Sequence, residues 1–306
     1  MAFPSRAVGV LAAAAAGIIW SMSGPVSREL TDLGIDSTQT TCMRFMVVTM
    51  VAIVFICTRE RDNLKVDRGS FYILLMTALI GTVVHSVCYL AAMNTISIGL
   101  ACLLEFINPS VVILLSVPIL HEKLTKTKGI SVVIAFIGCT LCMELISNPG
   151  AFSTVGIILG LMSGVFFAIH TVGIKIAATR GVSTMVILFY TSVISCLVLI
   201  PFCDIPSVFS ILVSDSYALF LVLSLGILLT LVPSFLFTYS MKHIEAGLAA
   251  VITFIEPIAA AVLGFLLYGE PMGVESITGA GLILLALIIV NRPDLSEKDA
   301  KVEMSD

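Results

Sequence analysis

The chain alternates between long apolar runs and short polar breaks. Residues 7–27, 69–104, 145–174, 181–203 and 216–241 contain no Asp, Glu, Lys or Arg, and shorter charge-free runs cover 45–58, 106–121, 129–143, 257–269 and 276–291. A helix that crosses a bilayer needs about 20 mostly apolar residues. The 69–104 run is too long for one such helix and divides at Asn94-Thr95-Ile96-Ser97. The pattern predicts ten transmembrane helices, at about 7–27, 38–58, 71–93, 97–118, 128–146, 153–174, 183–203, 216–240, 245–267 and 273–291. Lipid offers the backbone no hydrogen-bond partners, so each span must satisfy its own, which at this pattern means helices. The short connections suit a compact all-α bundle with no soluble domain. Residues 1–20 also have the outline of a signal peptide, with Ala12–Ala16 as the cleavage region. Only Arg6 precedes that stretch, and the segment has a counterpart later in the chain, so it reads as a retained first helix.

Composition agrees. Of 306 residues, 58% are hydrophobic and 12% charged, with a mean hydropathy of +1.12. A soluble domain is about 45–50% apolar and about 25% charged. This chain has too few charges to coat a water-exposed surface, which argues against a soluble enzyme and against a disordered chain. The net charge of −4 supplies no basic field for nucleic acid. The eight cysteines all lie in or at the ends of apolar runs, where thiols behave as small hydrophobes. Cys139-x-x-Cys142 has the spacing of a redox or metal motif, but it falls mid-span with no second pair and reads as packing.

Basic residues mark the cytoplasmic side of membrane proteins. With both termini inside, the inner segments hold Arg6, then Arg59, Arg61, Lys65 and Arg68, then Lys123, Lys126 and Lys128, then Lys175 and Arg180, then Lys242, and finally Arg292, Lys298 and Lys301. That is fourteen of the sixteen Lys and Arg; only Arg28 falls outside, and Arg44 lies within the second helix. Miscounting one helix would scramble this alternation.

The two halves resemble each other. Residues 99–109 read GLACLLEFINP and residues 247–257 read GLAAVITFIEP, and the register continues without a gap to Glu122 and Glu270. Upstream, Gly9-Ala13-Gly17 matches Gly156-Gly160-Gly164, followed by Trp20/Phe167 and Arg28/Lys175. Each half therefore holds five helices. Five is odd, so the second half enters the membrane inverted. Inverted repeats mark many secondary transporters, whose substrate site lies near the midplane where the repeats meet.

With its two Phe-Ile-x-Pro segments, each followed by Glu122 or Glu270, and its Gly17-x-x-Trp20 and Gly269-Glu270-Pro271 signatures, the chain resembles the EamA-like ten-helix transporters of the drug/metabolite transporter superfamily over about residues 7–291. The first repeat departs from the pattern at His121-Glu122, where Gly-Glu is usual. The resemblance implies an all-α membrane protein of two EamA repeats in the inner or plasma membrane, exporting or exchanging small metabolites. The repeats span 1–147 and 148–292, leaving a cytoplasmic tail at 293–306.

Ionisable groups at bilayer depth are functional candidates by default. Glu105 and Asn108 lie three apart near the centre of the fourth helix, and Glu256 occupies the position equivalent to Asn108 in the ninth. Pro109 and Pro257 follow them and cannot donate to the carbonyls of Glu105 and Thr253, so each is a predicted helix break. A midplane carboxylate beside freed carbonyls can bind an amine, a hydroxyl-rich solute or a proton. The competing reading is a neutral acid bonded to a neighbouring helix. His85 and Tyr89 share one face of the third helix, His170 lies on the sixth, and Trp20, the sole tryptophan, lies within the first. These join the substrate-site candidates, as proton carriers, polar contacts or a stacking platform; helix-to-helix hydrogen bonding is the bland alternative, above all for His170. Arg44 is expected to snorkel or to pair with an acid. Arg28 and Lys175 are expected to be matching structural anchors.

The sequence thus predicts a secondary transporter for a small amino-acid-like or related polar solute, working by alternating access. It predicts no cofactor and no metal. Its partners are the lipid bilayer, a small-molecule substrate and candidate coupling protons, and it acts as a monomer or homodimer. The alternatives are a channel and an intramembrane lipid-modifying enzyme; no HExxH, His/Asp-rich loop or phosphate-binding loop supports the latter.

Overall fold

Charge-free runs become helices throughout the computed structural model, which describes residues 5–147, 153–269 and 272–291. The first repeat comprises α1 (Ser5–Asp32), α2 (Ser37–Arg59), α3 (Arg68–Met93), α4 (Ile98–Leu120) and α5 (Lys126–Cys142). The second comprises α6 (Thr154–Thr179), α7 (Thr184–Phe202), α8 (Ser216–Ser240), α9 (Ala246–Leu267) and α10 (Val274–Asn291). Among the described residues, nine of these are long and apolar enough to cross a membrane. The tenth, α5, has 17 residues, about 25 Å at 1.5 Å per residue. Glu270, Pro271 and the predicted tail 293–306 lie outside the described residues.

Helix starts follow ordinary capping chemistry. Asp36 opens α2 by accepting from the backbone N–H groups of Thr38 at 2.7 Å and Gln39 at 2.9 Å, while Gln39 Oε1 accepts from the Asp36 N–H at 2.9 Å. This reciprocal box satisfies donors that a helix start leaves orphaned. Asp36→Ala is expected to cost about 1 kcal/mol, seen as a lower thermal midpoint of the purified protein in detergent.

Prolines explain most of the interruptions, and more of them than the two predicted. Helix α4 breaks at Phe106-Ile107 before Pro109, and α9 breaks at Thr253-Phe254 before Pro257. The first span differs from its predicted 7–27 range: it runs on to Asp32 and breaks at Ser21-Met22, because Pro25 has no N–H for the Ser21 carbonyl. Pro233 acts likewise on Leu229, and there α8 widens into a π-turn over Ile227–Leu231. Its counterpart in α3 is a π-segment over Thr77–Val84, which has no proline. A short helix at Ile205–Ser214, absent from the predicted set, joins α7 to α8; Asp204 caps it and Pro206 sits in its first turn.

In lipid the apolar effect does not drive helix against helix, so close packing of small residues must. Ala13, Ala16, Ala246, Ala249 and Ala250 are fully buried in the main core. The glycine rows of α1 and α6 let helices of the two repeats approach closely. A Cβ on Gly9 would stand 2.9 Å from His243 and Ile244, and one on Gly17 would stand 2.8 Å from Ile255. In the other repeat, a Cβ on Gly156 would meet Thr95 and Ile96 at 2.4 and 2.7 Å, and one on Gly164 would meet Ile107 at 2.6 Å. These partners are repeat equivalents. Helix α1 of the first repeat lies on the interrupted α9 of the second, and α6 of the second lies on the interrupted α4 of the first.

Candidate functional site

The π-segment of α3 and the break in α4 set the site. Helix α3 presents His85 and Tyr89 one turn apart, and α4 presents Cys102 and Glu105 just before its break. His85 Nε2 lies 2.7 Å from Glu105 Oε1, and Tyr89 Oη lies 2.7 Å from Cys102 Sγ. The side chains of His85 and Glu105 are 14% and 21% exposed, so the pair sits inside the bundle without being sealed off. At bilayer depth two ionisable partners in contact are each other's main compensation for lost hydration.

Aromatic rings extend the cluster. The His85 ring lies 5.1 Å from that of Phe167 on α6, and Phe167 stacks on His170 at 5.8 Å. His170 Nδ1 is held at 3.0 Å by Thr82 Oγ1 in the π-segment. This contact depends on Gly81, where a Cβ would fall 2.6 Å from the His170 Cα. His170 is thus fixed by a helix-to-helix hydrogen bond within the same layer. Glu256 stands in the first turn of the helix that follows the break in α9.

Asn108 and the prolines take a different part. The carbonyl that Pro109 frees at Glu105 is taken by Asn108 Nδ2 at 3.2 Å, the Thr253 carbonyl accepts from the Glu256 N–H at 2.9 Å, and the Leu229 carbonyl accepts from Ser23 Oγ at 3.5 Å. The breaks therefore shape the site without leaving these acceptors open, and buried Asn108 closes the α4 break. Trp20 packs on Phe237 of α8, with ring centroids 5.3 Å apart. Its repeat mate Phe167 is the ring against His85. The Trp20/Phe167 correspondence in the sequence was the available signal for Phe167; nothing comparable pointed to Thr82 or Cys102.

A second polar layer lies toward the end of the bundle rich in basic residues. Glu122, at the end of α4, accepts from the N–H groups of Ala246 at 2.7 Å and Gly247 at 3.2 Å, capping α9 across the repeat boundary. Lys128 pairs with Glu245. Lys175 donates to the carbonyls of Met241 at 2.6 Å and Ile244 at 2.8 Å, whereas its repeat mate Arg28 is exposed. The two are therefore not matching anchors: only Lys175 holds a helix end. A cleft of about 440 Å³ lined by His121, Glu122, Lys175 and Glu245 opens beside these bonds. Cys139 and Cys142 pack in the core, and among the described residues no group of three His, Cys, Asp or Glu is placed to hold a metal.

The sequence pattern of the EamA-like transporter family fits residues 7–143 and again residues 154–292. An uncharacterized transporter of Archaeoglobus fulgidus is 28% identical over 271 residues, covering 89% of this chain and 93% of its own. The pseudopaline exporter CntI of Pseudomonas aeruginosa is 26% identical over 286 residues, covering 93% of this chain and 96% of its own. A crystal structure 16% identical in sequence superposes with a TM-score of 0.77 over 94% of this chain and 97% of that one, a likeness of fold.

Proposed function

Because the chain belongs to the EamA-like transporter family, we propose that it exports or exchanges a small polar or amphipathic metabolite, amino-acid-like in character, by alternating access around the His85–Glu105 pair. It is a multi-pass membrane transporter with a small-molecule substrate, and not an enzyme. The observation that carries the site is the 2.7 Å contact of His85 with Glu105, made where a π-segment meets a helix break. Both distortions recur in the second repeat, at Ile227–Leu231 and Thr253-Phe254. Tyr89, Phe167 and His170 line the same layer, Glu256 after the α9 break and Trp20 on α1 are its further candidates, and Pro109 and Pro257 supply the bends. An export direction follows the name of one relative.

Glu122 and Lys128 of the first repeat bind Ala246, Gly247 and Glu245 of the second and so join the repeats at the end rich in basic residues. His85 and Glu105 are also the candidate proton carriers. An imposed pH gradient that drives accumulation in proteoliposomes supports coupling; indifference to the gradient leaves facilitated diffusion. The basic-residue bias supports cytoplasmic termini, with the plasma membrane as the proposed location. A green fluorescent protein fused after Asp306 is expected to fluoresce, and alkaline phosphatase fused there to stay inactive; the opposite pair of results inverts the topology.

A further inference from the structure

Helices α2 and α7 join the two repeats along an antiparallel seam that holds three thiols. Cys203 Sγ donates to the Thr38 carbonyl at 3.7 Å, and Thr49 Oγ1 donates to Ser192 Oγ at 3.1 Å. Eleven residues separate Thr38 from Thr49 and eleven separate Ser192 from Cys203, so the two helices keep one register for about three turns. Cys42 stands four residues after Thr38 and Cys196 four after Ser192, which puts both on the facing stripes. Cys42 and Cys196 are buried in one apolar cluster, and Cys203 packs against it from the end of α7. Cys42 is sealed in, whereas Cys203 is partly exposed, and both are free thiols.

Side-chain direction selects the pair. The Cα–Cβ bonds of a helix tilt toward its N-terminus. On α2 this tilts Cys42 toward Thr38, and so toward Cys203. On α7 it tilts Cys196 toward Ser192, away from Cys42. Cys203 stands just past the last turn of α7 in extended backbone, and its thiol meets the carbonyl that the Cys42 N–H faces across one helical turn. An exposed thiol beside a buried one is the arrangement that disulfide exchange needs, with one sulfur to be attacked from outside and one to resolve.

We propose that Cys42 and Cys203 form a redox-modification site, at which a small disulfide such as oxidised glutathione converts them to a reversible bond that ties the first repeat to the second. The Cys203 thiolate attacks one sulfur of the oxidant, whose S–S bond breaks and whose other half leaves as a thiolate. The Cys42 thiol then gives its proton to water, and its sulfur attacks Cys203 and releases the second half. Two protein thiols are oxidised and one small disulfide is reduced to two thiols. The seam lies at the end of the bundle opposite the basic layer, which the topology proposed above makes the outer face, where disulfides persist.

The cysteine distribution makes the bond simple to read. The first repeat carries six of the eight cysteines and the second only Cys196 and Cys203, so a disulfide between the repeats must use one of these two. A protease site placed between the repeats lets the folded full chain be cut, with one chain per nanodisc. After oxidised glutathione at alkaline pH, where thiols ionise, the wild-type halves are expected to run as one band on a non-reducing denaturing gel and as two once reduced. Cys42→Ala and Cys203→Ala are each expected to lose the link, and Cys196→Ala to keep it. Cys203→Ala, at the partly exposed position, carries the test if Cys42→Ala does not fold. Two bands from the oxidised wild type overturn the proposal, and so does a link that survives Cys203→Ala or vanishes in Cys196→Ala. The terminal fusions described above decide the topology independently of this gel, so the failure of one is distinct from the failure of the other.

Discussion

Glu105→Gln is expected to lower solute flux in proteoliposomes about 10–100-fold, with the protein still folded and monodisperse. The substitution keeps size and shape and removes only the charge. His85 Nε2 is 2.7 Å from the carboxylate, and an amide oxygen can still accept from it, so the helix contact survives. What disappears is the charge-assisted part of the bond and the anionic face presented to a solute. Hydrogen bonds to charged groups contribute about 1.5–3 kcal/mol, which sets the range. His85→Ala makes a useful companion. It leaves Glu105 without its partner inside the bundle, so it should lower thermal stability as well as flux, which Glu105→Gln should not. Normal flux in Glu105→Gln would remove this carboxylate from the pathway.

Gly279→Ala is expected to be the most damaging single methyl addition in the second repeat. A Cβ there would stand 2.2 Å from Cys142 N and 2.5 Å from the Gly138 carbonyl oxygen. Both are backbone atoms, so no side-chain rotation relieves the clash and α10 must move away from α5. The opposing glycine is equally confined, since a Cβ on Gly138 would stand 2.8 Å from the Gly279 carbonyl. Ser276 Oγ donates to the Cys142 carbonyl at 3.1 Å in the same seam and would be strained with it. Overpacking of this kind costs about 1–3 kcal/mol and sometimes more. The expected result is a clear drop in thermal midpoint and in the monodisperse fraction on gel filtration. Gly281→Ala, two residues along and with open space around its Cβ, is the control. It should be neutral or slightly stabilising, because alanine favours helix over glycine by about 1 kcal/mol. Equal behaviour of the two variants would refute the tight α5–α10 seam.

The spans were legible because charge is costly in lipid, so its absence marks them directly. The breaks at Pro109 and Pro257 were legible for a covalent reason, the missing N–H. The same rule holds at Pro25 and Pro233, where no ionisable side chain marks the distortion. The π-segment at Thr77–Val84 had no local signal, since it depends on how α3 is held against α6 at Gly81 and Gly173. Pairing within the site was likewise not local. Spacing put His85 and Tyr89 on one face, but their partners Glu105 and Cys102 come from the next helix. The carbonyls of Glu105 and Thr253 were expected as open acceptors, yet Asn108 Nδ2 and the Glu256 N–H fill them, as the cost of an unsatisfied polar group in lipid requires.

The reciprocal seating of the glycine rows has a consequence for ancestry. Gly9 and Gly17 rest on His243, Ile244 and Ile255, while Gly156 and Gly164 rest on Thr95, Ile96 and Ile107. Neither five-helix half contains the partner for its own first helix. A lone half would expose a bare backbone groove and lack the helix that fills it, so it has no complete fold of its own. A single ancestral half would have needed a second copy inserted in the opposite direction, each lending its first helix to the other. Gene fusion would make that antiparallel dimer permanent. Two separately expressed halves should accordingly be degraded alone and rescued together.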